Sequence, residues 1–450
     1  MAPTKFTVKL NNKGDLTMAN RKLGMGDNFV KFAYENANGT TGVSAVVHLT
    51  GTITSASIRQ SLVLLQSRHP LLRASFSPSG DSLEIDEHTF PLPLDIVARN
   101  DPEQWKHVYR QHLNQAFALK EGYLWRATYL TGENINEQEH ELIVSFHHCV
   151  IDGLSIGIFY RDLLNYARII LEGGRPEVKK LPLLPNTEAM LKKHVTWEHY
   201  KAGSESGFTE LLKIIDQLYS YEKDAPLMER TTEFFVMESN ENELLQMLNK
   251  VRKNDSTLTS LLSAALLIAV YRVKGGMNSN GRIQVANTPV NMRNNCLPPI
   301  GLDNIGPYVS MISTFHYTDL ATSVWDLARS FKESSIKAIE EQSYGPRDIN
   351  KLEYLQMLSR LNEGPFADKY VLGVGVTNYG VIDLPADYGL FQINKFYSGA
   401  SRHGGDWLTL LHTATFDNKL TYCFCYEEPL LSSENAGKII EEFFGILFNC

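Results

Sequence analysis

The sequence predicts an α+β protein, two-layered, built from two halves of similar make-up. Both halves mix short apolar, β-branched segments with segments of helical periodicity, and the two kinds do not strictly alternate. Residues 175–186 carry three prolines without a clear period, which indicates a crossover between two lobes, residues 1–180 and residues 181–450. The length of 450 residues suits two or three domains of roughly 150 residues each. A pocket is expected at the seam of the two lobes.

The first half contains the patterns of three strands and two helices. The strands are predicted at residues 44–49, 124–130 and 141–146, and the helices at residues 56–66 and from residue 154 to the glycines at 173 and 174. The first helix ends before His69 and Pro70, because the residue before a proline is pushed out of the helical region. The last two strands are joined by the polar residues 131–140, as in a hairpin.

The second half repeats this rhythm more loosely. Strands are predicted at residues 232–237, 282–290, 371–376 and 420–426. Helices are predicted at residues 241–251 and 433–448, and a third, apolar helix ends at residue 271. Ser256 or Thr257 is expected to cap the helix that ends at Tyr271, since a side-chain oxygen at that position accepts a hydrogen bond from a free backbone N–H.

Composition and charge exclude several classes of protein. Subtracting 51 acidic from 43 basic side chains gives a net charge of −8 without a basic block, so nucleic acid is not expected as a partner. The longest apolar stretch, residues 261–271, is shorter than the roughly 20 residues of a transmembrane helix and is expected to be a buried helix. Residues 1–6 do not resemble a secretory signal, so a cytoplasmic location is expected.

The five cysteines do not form a recognisable disulfide or zinc pattern. They are Cys149, Cys296, Cys423, Cys425 and Cys450, an odd number without a CxxC pair. Cys423 and Cys425 alternate within a predicted strand, which places both thiols on the same face. Packing is the favoured role for this pair.

One motif indicates chemistry. An apolar strand runs into His147 and His148 and then, through Cys149, Val150 and Ile151, into Asp152, Gly153 and a helix. Histidine suits proton transfer at neutral pH because its ordinary pKa is near 6.5. Neighbouring residues on a strand point to opposite faces, so one histidine should be catalytic and the other structural.

The roles of Asp152 and Gly153 stay open at this level. Asp152 could orient an imidazole directly or hold the turn by pairing with an arginine, and Gly153 permits either a backbone geometry or a close approach that a Cβ atom would block. Two other interpretations of the motif are a pair of core histidines without chemistry and a zinc or iron site made by His147, His148 and Asp152. The opposed faces of the two histidines argue against the metal site.

These residues resemble the HHxxxDG signature of the condensation-domain and chloramphenicol-acetyltransferase-like superfamily, with stand-alone polyketide-associated acyltransferases and alcohol acetyltransferases as the nearest types. Weaker similarities follow in the family's order. They are the RHxxLR segment at residues 68–73, the PLxR strand at 124–127, a long helix at 257–272, the PVDLR strand at 289–293 with Asn291 in place of aspartate, and later motifs at 303–306 and 376–380. Residues 401–407 only echo the plant DFGWG motif, which counts against the plant branch.

The resemblance implies two chloramphenicol-acetyltransferase-like lobes arranged as a pseudo-dimer with a tunnel at their interface. His148 would be the base that deprotonates an alcohol or amine acceptor as it attacks a thioester, and His147 and Gly153 would be structural. Asp152 would be architectural, with Arg293 as its salt-bridge partner. Thr377 and Asn378 would supply hydrogen bonds near the substrate.

The implied activity is acyl transfer in specialised metabolism, forming an ester or an amide. The donor would be acyl-coenzyme A or an acyl-phosphopantetheine on an acyl carrier protein, with no permanently bound cofactor and no metal. A monomer is expected, because an internal pseudo-dimer completes its own site. The alternatives are a condensation-like protein with a cyclising, dehydrating or binding role, and a metal-dependent hydrolase. Packing or surface roles are expected for His316, His403, His412 and Asp303.

Overall fold

The computed structural model describes residues 19–87, 92–119, 122, 124–132, 138–192, 210–275, 280–341 and 350–450. The start of the chain, where no secretory signal is expected, and residues 133–137 of the expected hairpin connection lie outside the described residues. The two-layer α+β class predicted from the sequence is confirmed by three sheets covered by helices.

The helices and strands are numbered along the chain. The helices are α1 (Met25–Asn36), α2 (Ser55–Arg68), α3 (Gln104–Asn114), α4 (Gly153–Leu171), α5 (Thr187–Met190), α6 (Glu241–Lys253), α7 (Leu258–Lys274), α8 (Val324–Glu340), α9 (Lys351–Glu363) and α10 (Ser433–Asn449). The strands are β1 (Ala19–Lys22), β2 (Val43–Gly51), β3 (Ala74–Phe76), β4 (Ser82–Ile85), β5 (Leu94–Ala98), β6 (Trp125–Thr131), β7 (Glu139–Phe146), β8 (Thr231–Glu238), β9 (Arg282–Asn291), β10 (Val309–Thr318), β11 (Gly373–Val381), β12 (Phe391–Ala400), β13 (Trp407–Phe416) and β14 (Lys419–Glu428).

The first half is built on a five-stranded sheet in the order β12-β2-β7-β6-β5, beside a small sheet in the order β1-β4-β3. The strand β7 is buried on both faces, which explains its continuous apolar run. Val144 packs into the large core that includes Phe159 of α4. Ile143 points to the opposite face and packs with Trp105 of α3.

The second half is built on a six-stranded sheet in the order β10-β9-β11-β13-β14-β8. The apolar stretch at residues 261–271 lies in α7 and is buried throughout, as expected. The helix begins after Thr257, whose side chain accepts a hydrogen bond from the N–H of Ser260. Thr257 rather than Ser256 is therefore the cap.

One strand of the second half completes the sheet of the first half. β12 pairs antiparallel with β2, with Phe391 opposite Gly51 and Ala400 opposite Val43. The chain then returns through residues 401–406 to β13 in the six-stranded sheet. The predicted division at residue 180 does not include this exchange, which places residues 401–406 between the two halves.

Among the described residues, no helix is by itself long and apolar enough to span a membrane. The helices α6 and α7 meet the length and composition test only as a pair, and they are bent by 96° relative to each other.

Candidate functional site

The two histidines of the motif lie in a tight turn between β7 and α4. The strand ends at Phe146, and the N–H of His147 donates to the carbonyl of Leu124 at 2.8 Å. The N–H of Val150 then donates to the carbonyl of His147 at 3.1 Å, which closes the turn. The two side chains are therefore separated by turn geometry rather than by the strand alternation that the sequence suggested.

His147 is fully buried in an aromatic environment. Its ring centroid lies 4.4 Å from that of Tyr34 and 5.3 Å from that of Phe76. Its Nδ1 accepts a hydrogen bond from the N–H of Cys149 at 3.1 Å. Burial, aided by the neighbouring charges of His148 and Lys31, lowers the pKa of His147 to about 3. The ring is thus a neutral packing group that fixes the turn.

His148 borders a cavity of about 1180 Å³. Both halves of the chain line this cavity, for example through Val43 and Leu154 from the first half and Pro289 and Trp407 from the second. Unlike His147, the side chain of His148 is only partly buried. The predicted seam pocket is therefore present, and His148 is the histidine of the motif that borders it.

The environment of His148 favours the neutral imidazole. Burial lowers its pKa below the ordinary value, and the positive charge of Arg402 lowers it further. Hydrogen bonding to the backbone of His148 and Ile151 and the charge of Asp152 oppose this shift. The lowered pKa favours the neutral ring, which is able to accept a proton.

Asp152 joins the two halves through a buried network. One carboxylate oxygen caps α4 by accepting the N–H of Ser155 at 2.7 Å, and the other accepts the N–H of Tyr308 at 3.0 Å. A nitrogen of Arg293 lies 3.2 and 3.3 Å from the two oxygens. The expected ion pair with Arg293 is therefore present. Both carboxylate oxygens of Asp152 accept hydrogen bonds from other parts of the protein.

Arg293 is held as firmly as its partner. It donates to the carbonyls of Gly301 and Asn304 at 3.2 and 2.9 Å and to the hydroxyl of Ser155 at 2.8 Å. Its guanidinium carbon also lies 4.6 Å from the ring centroid of Tyr308. The network fixes the start of α4 and so the turn that presents His148.

Gly153 is required by a close approach. A Cβ atom built on it would lie 2.0 Å from a ring carbon of Tyr379 on β11. Of the two roles left open for this glycine, the structure therefore supports the close approach. The hydroxyl of Tyr379 lies 2.7 Å from Nδ1 of His412 and 3.2 Å from the hydroxyl oxygen of Ser398.

Thr377 and Asn378 border the same cavity as His148. The side-chain amide of Asn378 donates to the hydroxyl oxygen of Thr259 at 3.1 Å, and its carbonyl accepts the N–H of Gly380 at 2.9 Å. Both polar ends of Asn378 are thus used to hold the end of β11. Their predicted contacts with a substrate stay a prediction.

Two cavity residues were missed by the sequence reasoning. His412, expected to be a surface or packing residue, borders the cavity, and burial, with the charges of Arg402 and His148, lowers its pKa to about 3. Arg402 borders the same cavity. His412 lies opposite Thr377 in the parallel pairing of β11 and β13, and this register cannot be obtained from the sequence pattern alone.

The other residues considered in the sequence do not line the cavity of His148. The thiol of Cys149 is buried against the backbone carbonyl of Asp27 at 3.3 Å, and burial raises its pKa well above the ordinary value, so it is not a nucleophile. His316 and His403 are buried packing residues, and the side chain of Asp303 is exposed. These three placements agree with the roles expected for them.

The three residues of the alternative metal site do not converge. The ring of His147 packs against Tyr34, while both oxygens of Asp152 are bonded to Arg293 and to backbone N–H groups. Within the described part of the chain, no group of three or more histidine, cysteine or acidic side chains is arranged to hold a metal ion. The donor arrangement therefore gives the hydrolase alternative no support.

Comparison with known proteins identifies the family. The sequence model of the condensation domain matches residues 34–361, so the chain belongs to the condensation-domain family. It is 22% identical to bacitracin synthase 1 of Bacillus licheniformis over 434 residues, which cover 92% of this chain and 8% of that synthase. The chain thus spans less than a tenth of the length of this relative.

Two solved structures share the fold over almost their whole length. The trichothecene 15-O-acetyltransferase TRI3 of Fusarium sporotrichioides superimposes with a TM-score of 0.70 at 10% identity, covering 95% of both chains. The polyketide synthase associated protein 5 of Mycobacterium tuberculosis superimposes with a TM-score of 0.64 at 14% identity, covering 95% of this chain and 97% of that chain. The chain is thus similar in sequence to a bacitracin synthase, and in fold to a trichothecene acetyltransferase and a polyketide synthase associated protein.

Proposed function

We propose that this chain is an acyltransferase that moves an acyl group from a thioester to an alcohol or amine, with His148 as the general base. The observation that carries the proposal is the position of the His148 imidazole at the wall of a cavity lined by both halves, and its lowered pKa suits a base. The cavity of about 1180 Å³ is larger than ordinary single-ligand pockets of about 300–1,000 Å³, which suits a site for two substrates. The proposed setting is cytoplasmic specialised metabolism.

The proposed step needs one proton carrier and no covalent enzyme intermediate. His148 takes the proton of the acceptor O–H or N–H while the acceptor atom attacks the thioester carbonyl. The tetrahedral intermediate collapses with cleavage of the carbon–sulfur bond, and the imidazolium returns the proton to the leaving thiolate. Holding both substrates in line supplies much of the rate, because it converts an encounter into an intramolecular step.

The side chains around His148 would support this step in different ways. The ion pair of Asp152 and Arg293 would position the turn that carries the base, and His147 would fill the space behind it. Thr377 and the second amide hydrogen of Asn378 are proposed to donate hydrogen bonds to the substrate or to the developing oxyanion. The path of the donor to the base is proposed to be a tunnel at the interface of the lobes.

The donor is proposed to arrive as a separate molecule, either acyl-coenzyme A or an acyl-phosphopantetheine on a carrier protein. The similarity to bacitracin synthase 1 supports a carrier protein, and the likeness to the trichothecene acetyltransferase supports a stand-alone reaction. The chain is proposed to act as a monomer without a bound cofactor or metal, because one chain supplies both walls of the cavity.

The test is release of free thiol together with the mass of the product. Purified protein is offered acetyl- and longer acyl-coenzyme A esters with a panel of alcohols and amines, and then acylated carrier protein with the same acceptors. We expect an acceptor that gains the acyl mass. His148→Ala should lower the rate about 100- to 10,000-fold.

The matched control is His107→Ala, which removes an exposed histidine on α3. It should leave turnover unchanged. Full turnover in His148→Ala would overturn the proposed base. A product that has lost water without gaining an acyl group would favour the cyclising or dehydrating alternative instead.

A further inference from the structure

Five basic side chains are buried in the described residues, and four of them have a carboxylate partner. Arg21 pairs with Asp27 at 3.0 Å, Lys31 with Glu35 at 2.7 Å, Arg99 with Glu139 at 2.7 Å and Arg293 with Asp152 at 3.2 Å. Arg402, only 7% exposed, is the fifth. Among the residues that the structure describes, no carboxylate oxygen lies within 4.0 Å of the Arg402 guanidinium, and the Arg402 side chain makes no hydrogen bond.

Arg402 also differs from the other four by its position. It is the one of the five that borders the cavity of His148. Its backbone is fixed by a hydrogen bond from its N–H to the hydroxyl oxygen of Thr232 at 2.8 Å, and its guanidinium carbon lies 5.7 Å from the ring centroid of Trp407. Its Nε is buried without a partner. Burying a cation of this kind costs free energy unless an anion neutralises its charge.

The nearby carboxyl groups do not form an ion pair with Arg402. The carboxylate of Glu427 makes no ion pair with Arg402 and instead accepts a hydrogen bond from the hydroxyl of Thr232 at 3.0 Å, and burial raises its pKa to about 8. Asp406 borders the cavity, but its carboxylate lies beyond ion-pair distance of the guanidinium of Arg402. Burial raises the pKa of Asp406 as well. The positive charge therefore faces the cavity with incomplete compensation from the protein.

We propose that Arg402 binds a carboxylate carried by one of the two substrates of the acyl transfer. This inference rests on the proposed function and narrows its substrate class. The guanidinium fork matches the two oxygens of a carboxylate, and a hydrogen bond between charged partners is stronger than one between neutral groups. The carboxylate belongs either to the acceptor, as in a hydroxy acid or an amino acid, or to the far end of a dicarboxylic acyl chain.

The test compares substrates that differ only in the carboxylate. Acceptors are offered as free acids and as their methyl esters, and donors as glutaryl- against pentanoyl-coenzyme A, each with wild type, Arg402→Gln and Arg402→Lys. We expect one of the two series to prefer the acid about 10- to 100-fold in kcat/KM, with Arg402→Gln losing this preference through KM. Arg402→Lys should keep part of it. Neutral substrates are measured with all three proteins as the reference, because Arg402 also acts on the charge of His148, and the preference for acids is taken relative to them.

A binding measurement separates this inference from the proposed function. Glutarate and 4-hydroxybenzoate should raise the Tm of wild type and of His148→Ala, but not that of Arg402→Gln. If no substrate turns over while this Arg402-dependent shift persists, the acyl transfer fails and the carboxylate site stands. If turnover occurs without any preference for acids and Arg402→Gln changes nothing, the carboxylate site fails and the acyl transfer stands.

Two further outcomes would overturn the site. A lower Tm in Arg402→Gln with an unchanged preference for acids would mean that Arg402 stabilises the fold through its charge interaction with Asp406 and does not bind a ligand. A Tm shift by inorganic phosphate but not by either carboxylate would assign the charge to a phosphate of the donor. Arg272→Gln, which removes an exposed arginine paired with Glu442 at 3.1 Å, is the matched control for the loss of a surface charge.

Discussion

Arg293 approaches both carboxylate oxygens of Asp152, at 3.2 and 3.3 Å, although 141 residues separate the two in the sequence. Both side chains are almost fully buried, with 2% and 4% of their surfaces exposed. The pair ties the start of α4 in the first half to the end of β9 in the second half. The position of His148 therefore depends on contacts that neither half makes alone.

Replacing Arg293 by methionine should destabilise the protein strongly. The change removes the cation and leaves the buried carboxylate of Asp152 with its two backbone donors only, which typically costs about 3–5 kcal/mol. Urea unfolding midpoints measure the effect. The control Arg272→Met breaks an exposed pair with Glu442 and should cost about 1 kcal/mol or less. Equal midpoints for the two variants would contradict a structural role for the buried pair.

Gly153→Ala should lower both the stability of the protein and the rate of the proposed acyl transfer. The added methyl group would lie 2.0 Å from a ring carbon of Tyr379, so the turn or the ring has to move, at a cost of about 1–3 kcal/mol. The control is Gly437→Ala on α10, where a Cβ atom meets nothing within 4 Å and the better helix propensity should stabilise by up to about 1 kcal/mol. Thermal unfolding and turnover measure both. A neutral Gly153→Ala variant would mean that Tyr379 has room to shift.

Local features of the fold were predictable because neighbouring residues decide them. The cap at Thr257 and the buried helix after it follow from the chemistry of a few adjacent positions. Cys423 and Cys425 lie on one face of β14, with their sulfur atoms 4.0 Å apart, as the period of a strand requires. The predicted packing role of these two thiols agrees with their full burial.

The cavity was predictable only in part, because distant strands complete it. The His147–Gly153 motif carries its own signal, and Arg293 was found through the family resemblance. His412 and Arg402 have no local signal, since their approach to His148 depends on the crossing of β12 into the first sheet and the return of the chain to β13. Pattern along the chain does not encode which strand crosses between sheets.

Acid should destabilise the protein through its buried neutral histidines. Burial lowers the pKa of His112, His147 and His412 to about 3 and that of His316 and His403 to about 4. Between about pH 4 and the ordinary histidine pKa of about 6.5, the unfolded chain binds protons that the folded chain does not, so the free energy of unfolding falls as the pH falls.

The variant His316→Gln isolates one of these protons. His316 lies outside the cavity. Its loss should make the decline of the unfolding free energy between pH 6.5 and 4 shallower by up to about 1.4 kcal/mol per pH unit. Urea unfolding at pH 7.5, 6 and 5 measures the slope, and His107→Gln is the control for replacing an exposed histidine. Parallel slopes for wild type and His316→Gln would contradict the neutral state of this ring.

The pH dependence of the proposed acyl transfer should report the charge state of His148. Because burial and Arg402 lower the pKa of this imidazole, kcat/KM should rise with pH through an inflection below 6.5 and be level at neutral pH. In Arg402→Gln the inflection should move upward, because one of the positive charges that disfavour the imidazolium has gone. Arg272→Gln should leave the inflection in place. A wild-type inflection above pH 7, or one that Arg402→Gln does not move, would mean that a group other than His148 limits the rate.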